Sequence, residues 1–362
     1  MKRSLIGTSA LVAAGLLATT GAANAADPIK LGVGGYANAA IAYVSEDETA
    51  TPNVRNHGIQ LDTEIVFRGS TTLDNGLEFG VKIEMATDTA APAIDEQMIY
   101  IENEDSWGRI EMGDEDGASD QFRHLGPFVI GSSITGCSTF TAPEVTNANF
   151  PFTCGGVTND QTKITYRGPK LIGLQWGISY TPETANFNGI GSAARGNADA
   201  GDVGGVVELG ANWSGTFGGA SIKAGGGWAS LPAEGAGEFD ANQWNFGATV
   251  SMSGWNFGGS IKNQDNGAPA AQDTDQTNVR LGITTKMAGM TVGVEYTKAT
   301  LTSATTQQDD ETTGYSIAAN RTLGPGVSMG VLARAWDMAD DANVATAENS
   351  ATEVLIITSL GF

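Results

Sequence analysis

Four carboxylates fall close together at Asp114, Glu115, Asp116 and Asp120, and Arg123 and His124 follow them. Clustered carboxylates beside a glycine turn, here Gly117, suit a hard cation, so Asp114, Asp116 and Asp120 form a possible calcium site. The spacing Asp-x-Asp-x-Asp-Gly followed by Glu is absent, however. The other chemistry open to such a cluster needs no resident metal. Carboxylates lining a narrow wet passage draw cations in and turn anions away. Catalysis is poorly served: the chain has two histidines, His57 and His124, and no His-Glu-x-x-His pair. His57 sits where a loop meets a strand, and each histidine reads as an ordinary polar position. No enzyme is expected.

The cluster opens an unusual stretch, residues 114–160, which also carries both cysteines, Cys137 and Cys154. A loop of that length without its own secondary structure is uncommon inside a compact domain and is usually functional. Pairing the cysteines would close a loop of about 17 residues, contributing on the order of 3 kcal/mol in the chain-entropy model. A disulfide implies an oxidising compartment. The start of the chain agrees. Lys2 and Arg3 precede an apolar run from Leu5 to Ala18 and then Ala23-Asn24-Ala25, the layout of a secretory signal peptide covering residues 1–25. Residues 26–362 would be the mature domain. Removing Lys2 and Arg3 takes the formal net charge from −22 to −24. That excess disfavours nucleic acid and favours cations.

The elements that must position the cluster are strands. Ile172, Leu174, Trp176, Ile178 and Tyr180 alternate with Gly173, Gln175, Gly177 and Ser179, and Val279, Leu281 and Ile283 alternate with Asn278, Arg280 and Gly282. Trp244, Phe246, Ala248 and Val250, and Met290, Val292, Val294 and Tyr296, repeat the pattern. Tight turns are expected at Asp74-Asn75-Gly76, Asp105-Ser106, Gly168-Pro169-Lys170, Ser214-Gly215-Thr216, Ser253-Gly254, Ala288-Gly289 and Gly324-Pro325-Gly326. Between them lie polar stretches near 45–56, 87–94, 114–160, 182–202, 230–240, 264–276, 300–312 and 337–350. Short turns alternating with long loops describe a sixteen-stranded antiparallel transmembrane β-barrel. No run of 18 apolar residues offers a membrane helix instead.

Alternation alone also fits a soluble barrel with its apolar face inward. Three features favour the membrane version. One is the export signal. Another is aromatic placement, with Trp213, Phe217, Trp255 and Phe257 flanking short turns and Tyr180, Trp228 and Trp244 toward the long loops. The third is the last strand, where Val354, Ile356, Thr358, Leu360 and the terminal Phe362 share one face, resembling the assembly signal of outer-membrane barrels. Leu355 and Ile357 fall on the opposite, lumen-facing parity, which packing against an inserted loop would explain.

Several segments together resemble the Gram-negative general porins. These are Phe67-Arg68-Gly69-Ser70 with Lys82-Ile83-Glu84, Trp107-Gly108-Arg109-Ile110-Glu111-Met112-Gly113, and Tyr166-Arg167-Gly168-Pro169-Lys170 running on to Pro182. The resemblance implies an outer-membrane homotrimer among lipid and lipopolysaccharide, whose third extracellular loop folds into the lumen and sets the cross-section for small hydrophilic solutes. It further implies acidic loop residues facing basic wall residues. On this chain those would be Asp114, Glu115, Asp116 and Asp120 with Arg123, opposite Arg68, Lys82 and Arg109. Asp114 stands where such proteins often have arginine. Asp62, Glu64, Glu78, Glu84, Glu102 and Glu111 also take lumen parity, so a negative channel preferring cations is expected. Two other readings stay open. One is a substrate-specific channel for sugars or oligopeptides, for which Tyr100 and Trp336 are inward candidates. The other is a non-conducting adhesin or structural barrel.

Overall fold

A computed structural model describes residues 28–47, 55–87, 93–103, 106–129, 156–184, 203–233, 240–265, 274–303, 308–339 and 349–362. The signal segment, Cys137 and Cys154 with their expected disulfide, and residues 130–155 of the long stretch lie outside them. Sixteen strands follow one another: β1 (Gly32–Glu46), β2 (His57–Thr72), β3 (Glu78–Ala86), β4 (Ala93–Asn103), β5 (Gly108–Asp114), β6 (Thr162–Arg167), β7 (Leu174–Glu183) and β8 (Gly204–Phe217). The second half comprises β9 (Ala220–Leu231), β10 (Ala241–Met252), β11 (Trp255–Asp265), β12 (Thr274–Met287), β13 (Met290–Ser303), β14 (Gln308–Gly324), β15 (Val327–Ala339) and β16 (Asn349–Gly361). One short helix, α1 (Ala118–Gln121), follows β5. Each strand pairs antiparallel with its neighbour in sequence, and β1 pairs with β16 from Tyr36 opposite Gly361 to Glu46 opposite Ala351. The sheet is a closed barrel.

Closure leaves no unpaired edge, which is the condition for a sheet to sit in hydrocarbon. The two faces settle which medium surrounds it. On β12, Asn278 and Arg280 are each 1% exposed, while Leu281 between them and the turn is 54% exposed. On β7, Ser179 and Thr181 are buried while Leu174, Trp176, Ile178 and Tyr180 are exposed. The covered face is polar and the open face apolar, the reverse of a water-soluble barrel. Among the described residues no helix is long and apolar enough to span a bilayer, so strands are the spanning elements. Trp213, Phe217, Trp255 and Phe257 stand exposed near short turns, and Tyr180, Trp228 and Trp244 toward the other rim.

Three boundaries differ from expectation. The strand expected from Ile172 begins at Leu174, and Ile172-Gly173, with φ 51° and 81°, is the tight turn that follows Gly168-Pro169-Lys170. The turn placed at Ser214-Gly215-Thr216 is strand, since Ser214 pairs with Lys223 and Thr216 with Ser221. The chain reverses instead at Gly218-Gly219, where φ is 58° and 83°, a geometry glycine adopts without strain. The polar stretch near 300–312 is also largely strand, because β13 reaches Ser303 and β14 begins at Gln308. Leu355 and Ile357 do face inward. They are buried with Ala40, Ala42, Ala318 and Leu332, and Val129 from the stretch after β5 packs against this patch.

The pentapeptide Gly326-Val327-Ser328-Met329-Gly330 matches the G-x-S-x-G pattern of hydrolase nucleophiles, but it enters a strand rather than a helix. Ser328 pairs with Thr322 and Ser359 in the sheet. His57 bonds Asn56 and His124 bonds Thr249.

Candidate functional site

The carboxylate cluster is parted by the strand that carries it. Along β5, Arg109, Glu111 and Gly113 share one parity, and Ile110, Met112 and Asp114 share the other. Asp114 therefore lies opposite Gln97 and Thr162, in the series of Met112 and Ile164. Its carboxylate accepts from Gln97 Nε2 at 2.8 Å and from Thr162 Oγ1 at 2.5 Å. Glu115 turns to the barrel wall and meets Lys82 Nζ at 2.6 Å. Asp120 is ion-paired with Arg123 one helical turn away. Among the described residues no three potential metal ligands gather, so the calcium site considered for Asp114, Asp116 and Asp120 is not assembled.

From Glu115 to Val129 the chain runs across inward-facing side chains of successive strands. The amide of Ala118 donates to Ser179 of β7 at 2.9 Å. Ser119 donates through its amide at 3.1 Å and its hydroxyl at 2.5 Å to Glu208 of β8, and Thr158 donates to the same carboxylate. Asn245 of β10 donates to the Ser119 carbonyl at 3.0 Å. His124 lies 2.6 Å from the Thr249 hydroxyl. The Leu125 carbonyl accepts from Ser260 of β11 at 3.1 Å and from Arg280 of β12 at 3.3 Å, and the Arg280 guanidinium lies 4.6 Å from the Phe128 ring centre.

Charge divides by side. On β2 to β5, Lys82 is shared among Glu84 at 3.3 Å, Glu96 at 2.5 Å and Glu115 at 2.6 Å. Arg68 reaches Glu84 at 3.2 Å. Arg109 lies against Glu102 and Glu111, with Arg167 also on Glu111, and its guanidinium is 3.7 Å from the Tyr100 ring centre. Glu64 adds a further buried carboxylate, bonded by Tyr36. Asp160, at the far end of the long stretch, is pushed up to about 6 by burial and then by Asp95 and Asp116. On the opposite side, Lys223, Lys262 and Arg280 take inward positions of β9, β11 and β12. Burial first, then Lys223 and Arg280, hold the His124 imidazole below its ordinary pKa. Burial likewise lowers Arg123, against the pull of Asp116.

A family model described as Gram-negative porin matches residues 8–335. The chain belongs to the Gram-negative porin family. The fold agrees with solved outer-membrane proteins, porins among them, at low identity. OmpT with loop L8 deleted, from Vibrio cholerae, is 14% identical with a TM-score of 0.66, covering 93% of this chain and 100% of that one. An anion-selective porin from Comamonas acidovorans is 15% identical with a TM-score of 0.62, over 92% and 100%. A Rh. blastica porin variant is 17% identical with a TM-score of 0.59, also over 92% and 100%. A search of curated proteins finds no match. This porin is thus a sixteen-stranded barrel of the outer membrane, a pore for passive diffusion.

Of the residues expected to line the passage of this porin, Arg68, Lys82, Arg109, Glu64 and Glu84 take inward positions in the sheet. Glu96 and Asp160 on the acidic side, Lys223 and Lys262 on the basic side, and Glu208 were not anticipated from the sequence. For Lys223 and Lys262 the signal was present, because each alternates with outward apolar neighbours such as Ile222 and Ile261.

Proposed function

We propose that this porin passes small hydrophilic solutes with a preference for cations, and that the stretch 114–160 narrows its lumen. The observation that carries the preference is Lys82, a single ammonium shared by three carboxylates, Glu84, Glu96 and Glu115. Glu64 lies by Glu84 and Asp95, and Asp116 by Asp160, and these carboxylates add to the acidic excess on this side. In physiological salt the Debye length is about 8 Å, so such charges at a molecular-sized passage are incompletely screened. The basic residues opposite are partly spent: Arg123 pairs with Asp120 and Arg280 with Glu295. A net bias of about 1.4 kcal/mol gives tenfold discrimination. Because the Comamonas acidovorans relative is anion-selective, the sign is worth measuring directly. The reversal potential of the purified protein in a planar bilayer under a KCl gradient should have the cation-selective sign. An anion-selective sign overturns the preference, and absence of current overturns the pore.

General diffusion is favoured over a substrate-specific channel by the state of the inward aromatics. Trp336 is 2% exposed, and Tyr100 bonds Glu78 while it carries the Arg109 guanidinium on its face, so neither forms part of an open stacking ladder. Flux linear in solute concentration, limited by size, is the expected behaviour. The disulfide between Cys137 and Cys154, cleavage after residue 25 and a homotrimeric assembly complete the proposal. They predict a shift in non-reducing gel mobility, a mature amino terminus near Ala26, and a heat-sensitive oligomer band.

A further inference from the structure

Glycine is abundant in this chain, 49 residues against an average near 7%, and most of it needs no special account. One subset does. Gly210 on β8, Gly225 and Gly227 on β9, Gly247 on β10 and Gly282 on β12 all face inward, and none has a positive φ. Backbone conformation therefore does not call for glycine at any of them. What does call for it is the chain lying on top. A Cβ at Gly210 would run into the Ala118 carbonyl, at Gly225 into the Phe122 carbonyl, and at Gly227 into the Ser119 backbone. At Gly247 it would strike the His124 carbonyl, and at Gly282 the Pro127 carbonyl. In each case the nearest atom is main chain, which cannot swing aside as a side chain would.

Four of the five adjoin one another, and Gly282 lies beyond β11, opposite Gly258. Gly210 lies opposite Gly227 in the register, and Gly225 opposite Gly247. They make a shallow track across β8 to β12 in which residues 118–127 lie at backbone distance from the wall. Hydrogen bonds from Asn245 and Ser260 to the Ser119 and Leu125 carbonyls fix the segment along the track. We propose that this glycine track is a positioning surface: by holding the segment flush against the wall it sets how far the segment protrudes, and so the size limit of the pore. The proposal rests on the reading that this stretch narrows the lumen. Adding one carbon at any track position lifts the segment or displaces it.

The test is Gly225→Ala, Gly247→Ala and Gly282→Ala in the full-length protein, with Gly58→Ala and Gly324→Ala as controls, sites where a Cβ meets nothing within 4 Å. Single-channel conductance in KCl and liposome swelling with graded polyethylene glycols are read for each. The track variants should show an altered, multi-level conductance and a shifted size cut-off, and the controls should match wild type. Track variants that fold and still match wild type in both measurements overturn the proposal. If alanine blocks folding, the Asn245→Ala/Ser260→Ala pair loosens the segment without adding atoms. Multi-level conductance then supports the track, and wild-type traces overturn it. A wild-type protein that carries no current would instead remove the pore reading itself.

Discussion

Lys82 on the barrel wall and Glu115 at the start of the segment after β5 form an ion pair at 2.6 Å. The resemblance to porins places such residues on opposing sides of the passage; here they touch, and the wall cation is consumed by acids. Replacing Lys82 with Met should leave Glu84, Glu96 and Glu115 without their shared partner. Cation preference, read from the reversal potential, should rise roughly twofold or more, because incompletely screened charges at short range act over the whole narrow region. A fall in preference would show that these carboxylates do not face the permeating ions.

Asp160 should give the channel a pH dependence. Its carboxyl sits at about 6, so it is charged at pH 7 and neutral at pH 5. Acidification through 6 removes a negative charge beside Asp95 and Asp116, and the cation preference should weaken across that window. Asp160→Asn should remove this step and hold the preference at its low-pH value. Reversal potentials measured from pH 5 to pH 8 for both proteins decide the matter.

Glu208 clasps the two limbs of the long stretch, taking three hydrogen bonds from Ser119 and Thr158 while wholly buried. Hydrogen bonds to a charged group contribute about 1.5–3 kcal/mol each, not additively. Glu208→Ala should lower the temperature at which the barrel converts to its heat-denatured gel mobility, and Glu208→Gln should retain part of the loss. Equal transition temperatures for all three proteins would show that the clasp contributes nothing.

Arg334 of β15 and Glu353 of β16 are paired with no exposure of either side chain. Breaking a buried pair from one side leaves an uncompensated charge and costs roughly 3–5 kcal/mol, whereas removing both is far milder. Arg334→Leu alone should therefore destabilise the barrel more than Arg334→Leu with Glu353→Leu. Unfolding in urea monitored by intrinsic fluorescence ranks the two.

The strands were legible because the two faces of a closed barrel meet different media, so Trp176 and Gly177 announce their sides by type alone. The same parity also read Leu355 and Ile357 correctly as inward, against their apolar character. Asp114 shows how the rule can be dropped too soon. Glu111 was placed inward, and two further steps along β5 put Gly113 inward and Asp114 on the other side, yet proximity in sequence suggested one acidic group. Glu208 was not legible at all. It meets Ser119 across 89 positions, and no local pattern marks a contact made only when the barrel closes. The displaced turn at Gly218-Gly219 reflects the ambiguity of a glycine-rich strand end, where Gly215 and Gly218 compete and pairing with β9 decides.

Val129 packs against an apolar patch that includes Ala318 and Leu332 of β14 and β15 and continues to Ala40, Ala42, Leu355 and Ile357 of the first and last strands. The segment after β5 thus packs against the same apolar patch that spans the seam between β1 and β16. Because the patch is common to both, packing of the segment against it and closure of the seam are coupled. Late assembly should then behave as a single latch, in which a tube sealed with its segment still outside is a strained and short-lived species.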